Sequence, residues 1–145
     1  MRVRHNVRAV LVDGDHLVLL RRRWWPGGPA YCTTVGGGVE AGDTGLEAAL
    51  RREAMEEIGA TIGPATEFHT LTEPGERVTV VRHFFHADVL EVDLRRRGGP
   101  ELDDPDCGEF TPVRIPLEVS AVTALGLRPP ELVDQLVEHA RARGY

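Results

Sequence analysis

No lysine occurs among the 145 residues, so all 17 basic side chains are arginine. That excludes Schiff-base chemistry and a P-loop lysine. Cysteine is scarce too: Cys32 and Cys107 form no CxxC or Cys/His zinc spacing, which points to two unpaired thiols in a reducing compartment. No apolar run approaches the roughly 18 residues of a membrane span. The opening MRVRHNVRAVLVDGD carries charge but no apolar core of signal-peptide length. A cytoplasmic protein with no membrane partner is expected. Positive charge is in short supply, with a net charge of −6 and six acids against two arginines in residues 40–57. An acidic chain without a broad basic face is a poor partner for duplex nucleic acid. Internal repeats, low-complexity tracts and interdomain linkers are missing as well. With 41% apolar and 28% charged residues, positions 1–145 are expected to form one domain with a real core.

What is there is a concentrated stretch, GGGVEAGDTGLEAALRREAMEEIGA, from Gly36 to Ala60. Three glycines lead into a helical pattern over Leu46–Ile58, with Leu46, Leu50, Ala54 and Ile58 as its inward stripe. Gly59 stands where a helix C-terminus favours a residue free to take positive φ. On a helix, Glu57 lies about 40° from Glu53 and Glu56 about 60° to the other side, so three carboxylates crowd one face. Glu56 and Glu57 fall in the last turn, where the macrodipole disfavours negative charge. A bound cation turns that repulsion into a coordination site, and hard oxygen donors suit Mg²⁺ or Mn²⁺. Arg52 stands four residues before Glu56 and can hold that carboxylate in place.

These residues resemble the Nudix hydrolase signature: a Gly, five residues, Glu, seven residues, then Arg-Glu-x-x-Glu-Glu-x-Gly and an apolar residue. The match is exact from Arg52 to Gly59, with Ala60 in the apolar position. The first half departs: five residues on from Gly37 comes Asp43 rather than Glu, and eight residues rather than seven separate it from Arg52. The extra position falls near Thr44-Gly45-Leu46, at a loop-to-helix junction, and leaves the role of Asp43 open.

The resemblance implies an α/β fold of the Nudix α/β/α sandwich type, a mixed β-sheet between helices. It implies Mg²⁺-dependent hydrolysis of the pyrophosphate bond in a nucleoside diphosphate linked to another moiety, as in a nucleoside triphosphate, ADP-ribose or a nucleotide sugar. It assigns metal binding to Glu53, Glu56, Glu57 and the Gly36 carbonyl. Glu53, Glu56 and Arg52 form the catalytic set, with Glu53 orienting or deprotonating water and Arg52 holding a carboxylate. Homodimers are in keeping with the family. The alternative is a non-catalytic Nudix-fold module that binds a nucleotide to sense or regulate, a reading motivated by Asp43 and the extra residue.

Along the chain, Val7–Val12 and His16–Leu20 read as strands around Asp13-Gly14-Asp15. Tyr31–Val35 reads as a short strand leading into a glycine loop. Thr66–Thr72 and Arg77–Val92 form a further pair, the second central, and Glu109–Ile115 returns as a strand. Pro116–Leu127 is a mixed connection. Pro130 opens a last helix ending near Arg143, with Leu132, Leu136, Val137 and Ala140 inward. Arg23, Trp24, Trp25 and Tyr31 combine a phosphate-binding cation with base-stacking rings and are candidate substrate contacts, one Trp being expected in the core. Glu101, Asp103, Asp104 and Glu109 are candidates for a distal acid, and Glu40 for an outer ligand. His83 and His86, three apart, fall on opposite faces of a strand and make a poor metal pair.

Overall fold

Apolar side chains on both faces of the first strand place it at the centre of a layered fold. The computed structural model describes residues 2–99, 104–125, 127–128 and 131–142. β1 (Arg2–Asp13) and β2 (His16–Arg23) meet in a tight hairpin with Asp13 opposite His16 and Gly14 at φ 63°. That conformation is one glycine takes without strain. β3 (Tyr31–Thr33) pairs antiparallel with β2, and β4 (Val35–Gly38) antiparallel with β1. The expected single strand ending in a glycine loop is therefore two strands, and the glycines form the second. Gly36, Gly37 and Gly38 stand opposite Arg8, Val7 and Asn6. Periodicity is blind to a strand that has no side chains to alternate.

The helix α1 spans Leu46–Ile58, as the pattern predicts. Gly59 ends it at φ 65°, its N–H returning to the Met55 carbonyl at 3.0 Å. β5 (Ala60–Ile62), β6 (Thr66–Glu73) and β7 (Val78–Val92) follow, then β8 (Glu109–Pro116), α2 (Val119–Thr123), β9 (Leu127–Arg128) and α3 (Glu131–Ala142). Short 3-10 turns occupy Leu94–Arg96 and Pro105–Cys107. β7 runs parallel to β1 from Arg2 opposite Val78 to Val12 opposite Asp88, with β6 and β5 antiparallel on its other edge. β8 runs antiparallel along β2. The sheet is mixed, as expected. The connection after β8 holds a short helix and a two-residue strand, and the predicted ends of the last helix, Pro130 and Arg143, lie outside the described residues.

Alternation along the central strands divides the core. Val7, Ala9, Leu11, Val18 and Leu20 pack under α1 against Ala49, Leu50, Ala54 and Ile58. Val10, Val12, Leu17, Leu19 and Phe84 meet Val122, Leu132 and Leu136 of α2 and α3 on the opposite face. Helices therefore flank a mixed sheet in an α/β/α sandwich. Ala49 replaces Leu46 in the buried stripe of α1, Leu46 being half-covered at its rim. Ala140's side chain lies outside the described set, while Val137 packs against the second cluster. β7 is central, with strands on both edges, and its neighbours Phe84 and Phe85 are buried on opposite faces. Among the described residues no helix is long and apolar enough to cross a membrane.

Candidate active site

α1 lies across the glycine strand, and that contact exists because the strand has no side chains. A Cβ on Gly37 would stand 2.5 Å from Glu53 Oε1. Glu53 occupies the space a larger residue would fill, and both Glu53 and Glu57 are buried, with 5% and 8% of their surface exposed. The Gly36 N–H donates to Glu57 Oε1 at 3.3 Å. The Glu53 carboxyl acts on Glu57 from the same buried side of α1. Burial first, then Glu53, push the Glu57 carboxyl well above the usual carboxylate range, against the pull of Arg8 and the Gly36 N–H.

Arg52 organises the outer side of the cluster. Its Nε and Nη2 donate to the two oxygens of Asp43 at 3.0 and 2.9 Å, a bidentate pair. Nη2 also reaches the Gly38 carbonyl at 3.0 Å. Nη1 lies 3.0 Å from Glu53 Oε1, 3.3 Å from Glu56 Oε2 and 3.4 Å from Glu40 Oε1. The bond to Asp43 leads the causes that raise the guanidinium's pKa and lower that of Asp43. Asp43 in turn closes the turn before α1, accepting from the Glu40 N–H at 2.8 Å. Asp43 thereby anchors Arg52 to the turn that leads into α1.

The three glutamates differ in their surroundings, though Glu53 and Glu56 meet at one nitrogen, Arg52 Nη1, 3.0 and 3.3 Å away. Glu53 and Glu57 share the buried side facing β4, whereas Glu56 lies on the outer side, held by Arg52. Among the described residues no three acidic, His or Cys side chains stand at metal-binding separation. The donor set still suits a hard divalent cation. Two buried carboxyls, with Glu56 beside Glu53 at Arg52 Nη1 and the Gly36 backbone beside Glu57, are hard oxygens whose mutual repulsion a divalent charge relieves.

Two arginines at this site lay outside the sequence reading. Arg97, in the segment after β7, donates to the Glu57 and Phe110 carbonyls. It supplies the cation that the last turn of α1 lacks. Gly98 N–H joins it by donating to the Glu56 carbonyl at 2.9 Å. Arg8, opposite Gly36, donates from Nη1 to the Thr34 carbonyl at 3.1 Å and lies 3.5 Å from the Gly36 carbonyl. Its partners are 26 and 28 residues away, so no local signal announced it.

The aromatic candidates gather at the end of β2. Trp24 Nε1 donates to the Tyr31 hydroxyl at 2.7 Å, and Arg22 lies over the Trp24 ring at 4.4 Å. Neither tryptophan packs in the core: Trp24 and Trp25 are 47% and 59% exposed, since the strand stops at Arg23 and both sit in the turn beyond it. Arg23 pairs in register with Glu109 and has a buried Nε without a hydrogen-bond partner. Glu109 and Asp104 are exposed, Asp104 accepting from the Asp106 N–H, while Glu101 and Asp103 lie outside the described residues. His83 and His86 do fall on opposite faces. His83 bonds to His5 and Glu67, and His86 meets the Phe68 ring edge-on. A cavity of about 590 Å³ between β6–β7 and α3, lined by Val10, Phe68, His86, Gln135 and Glu138 among others, is of the size a small ligand needs.

A family model for the NUDIX domain matches residues 2–124. Among solved structures, a NUDIX hydrolase from Nitrosomonas europaea superposes with a TM-score of 0.72, covering 99% of this chain and 90% of that one at 21% identity. MutT NUDIX hydrolase from Burkholderia pseudomallei gives 0.63, covering 95% and 98% at 20% identity. An ADP compounds hydrolase gives 0.65, covering 97% and 75% at 21% identity. At these identities the structural likeness speaks to the fold. No curated protein matches the chain.

Proposed function

The chain belongs to the NUDIX family of hydrolases, and on that premise we propose that it cleaves the pyrophosphate bond of a nucleoside diphosphate linked to another moiety, with Mg²⁺ or Mn²⁺ as cofactor. The observation that carries this reading is the buried Glu53–Glu57 pair against the glycine strand, where two like-charged groups occupy a site that folding alone disfavours. Glu53, Glu56, Glu57 and the Gly36 carbonyl would hold the metal. When bound, it neutralises charge on the phosphoryl oxygens and lowers the pKa of a coordinated water. Glu53, fixed by Arg52 Nη1 and by the empty space over Gly37, is the carboxylate we assign to orienting or deprotonating that water. Arg52 positions rather than reacts, because its five donors are committed to Asp43, Gly38, Glu53 and Glu56.

For substrate contacts we assign Arg23, with its unpartnered Nε, the exposed Trp24 and Trp25 rings, and the half-buried Tyr31, whose hydroxyl accepts from Trp24 Nε1. The organic part is a nucleotide, and nucleoside triphosphates, ADP-ribose and nucleotide sugars are the classes to compare. Cys32 and Cys107 form no disulfide with one another, which suits a reducing cytoplasm. The non-catalytic alternative is motivated by Asp43 and the additional residue; Asp43 itself pairs bidentately with Arg52.

The test is a panel of nucleoside triphosphates, dinucleotides, ADP-ribose and nucleotide sugars offered to purified protein with Mg²⁺. Turnover of at least one class, abolished by EDTA and by Glu53→Gln, is the expected result. Binding without hydrolysis at any metal concentration, or turnover untouched by Glu53→Gln and Glu57→Gln, would refute it.

A further inference from the structure

Arg8 is outside the signature, on β1 rather than α1, yet its guanidinium reaches the back of the same site. Val7 and Ala9, its chain neighbours, face α1, so Arg8 projects to the other side of the sheet, where Val10 and Phe84 pack. There its Nη1 donates to the Thr34 carbonyl at 3.1 Å and stands 3.5 Å from the Gly36 carbonyl. Glu57 and Glu53 both act on it electrostatically from the α1 side. The strand between them carries no side chains at Gly36 and Gly37, so backbone alone separates the cation from the two acids. The other arginines acting on Arg8 are engaged elsewhere: Arg82 pairs with Glu73, and Arg22 donates to the Cys107 carbonyl at 2.7 Å and stacks on Trp24. The Thr34 side chain beneath Arg8 is fully buried, with a hydroxyl that makes no hydrogen bond, so the guanidinium is held by main-chain oxygens and charge.

Resting on the reading of Glu53, Glu57 and Gly36 as metal ligands, we propose that Arg8 is a positioning residue that serves as a built-in counter-cation. It offsets the negative charge of the buried Glu53–Glu57 pair while the site is empty of metal, and it weakens the grip on a divalent ion by contending for the Gly36 carbonyl and adding a positive charge behind the ligands. Affinity for metal is thereby traded for a site that stays folded without it.

The test uses Mn²⁺ alone, read by electron paramagnetic resonance and by melting temperature, with no dependence on turnover. In Arg8→Met, Mn²⁺ is expected to bind at least about 10-fold more tightly, since one repelling charge has gone. The metal-free melting temperature should fall by about 5 °C and the rise on adding Mn²⁺ should exceed that of the wild type. Arg8→Lys, which keeps the positive charge behind the ligands, is expected to stay within about 3-fold of wild type. If Arg8→Met and Arg8→Gln fail to fold without metal, recovery of the fold on adding Mn²⁺ supports the proposal and failure to recover overturns it. Unchanged or weaker Mn²⁺ binding in a folded Arg8→Met overturns the counter-cation role and leaves the metal site standing. Wild-type protein that binds no Mn²⁺ overturns the metal reading, and this proposal with it.

Discussion

Replacing Glu57 with glutamine should stabilise the metal-free protein at alkaline pH and leave it unchanged at acid pH. The carboxyl is buried, with 8% of its surface exposed, accepts from the Gly36 N–H and is pushed above its ordinary value of 4.5, chiefly by burial and by Glu53. For an acid whose folded pKa is raised, the folded state holds the proton more tightly than the unfolded chain. Its contribution to stability is complete below pH 4.5 and is lost as pH climbs toward the folded value. Each pH unit in that window costs about 1.4 kcal/mol, so from about pH 5 to about pH 8 the loss approaches about 4 kcal/mol. Sharing of the proton with Glu53 and the nearby Arg8 bring the expected figure to about 2 kcal/mol. Glutamine keeps an oxygen for the Gly36 N–H and has nothing to ionise. Urea melts in EDTA at the two pH values measure this directly. Wild type should weaken between them while Glu57→Gln should not, and the two should agree near pH 5. Equal destabilisation of the variant at both pH values would show that Glu57 is ionised and compensated without metal, contrary to the geometry.

Other perturbations follow from the same contacts. Gly37→Ala places a methyl 2.5 Å from Glu53 Oε1, so kcat should fall by about 100-fold while the fold survives, checked by steady-state kinetics and circular dichroism. Asp43→Asn removes the charge that anchors Arg52 through two bonds, and turnover should drop by about 10-fold with little change in KM. Leu50→Ala empties a fully buried position between α1 and the sheet, and chemical denaturation should register a loss of about 2–5 kcal/mol.

The bounds of α1 were legible because three local signals agree there: apolar spacing, a glycine able to take φ 65° at its end, and glycines ahead of it. The parallel pairing of β1 with β7 was not, since its partners stand about seventy-six residues apart and nothing local encodes which strands meet. β4 escaped because glycines carry no pattern, and β5 and β9 because two or three residues are too few to show one. At the site, the signature located the acids but not their environment. That Glu57 is buried, that Glu56 turns outward to Arg52, and that Arg8 and Arg97 arrive from other strands and loops all depend on tertiary contacts. The tryptophans show the reverse error: one of the two was expected in the core, and the end of β2 at Arg23 leaves both in a turn.

The central claim is that the buried acids beside the glycine strand exist to hold a divalent ion, and a Mn²⁺ titration followed by electron paramagnetic resonance tests it without reference to any substrate. Wild-type protein is expected to bind Mn²⁺ stoichiometrically, with affinity rising with pH as Glu57 loses its proton, and the Glu53→Gln, Glu57→Gln double variant is expected to lose that binding while remaining folded. Equal Mn²⁺ binding by the two proteins would contradict the account.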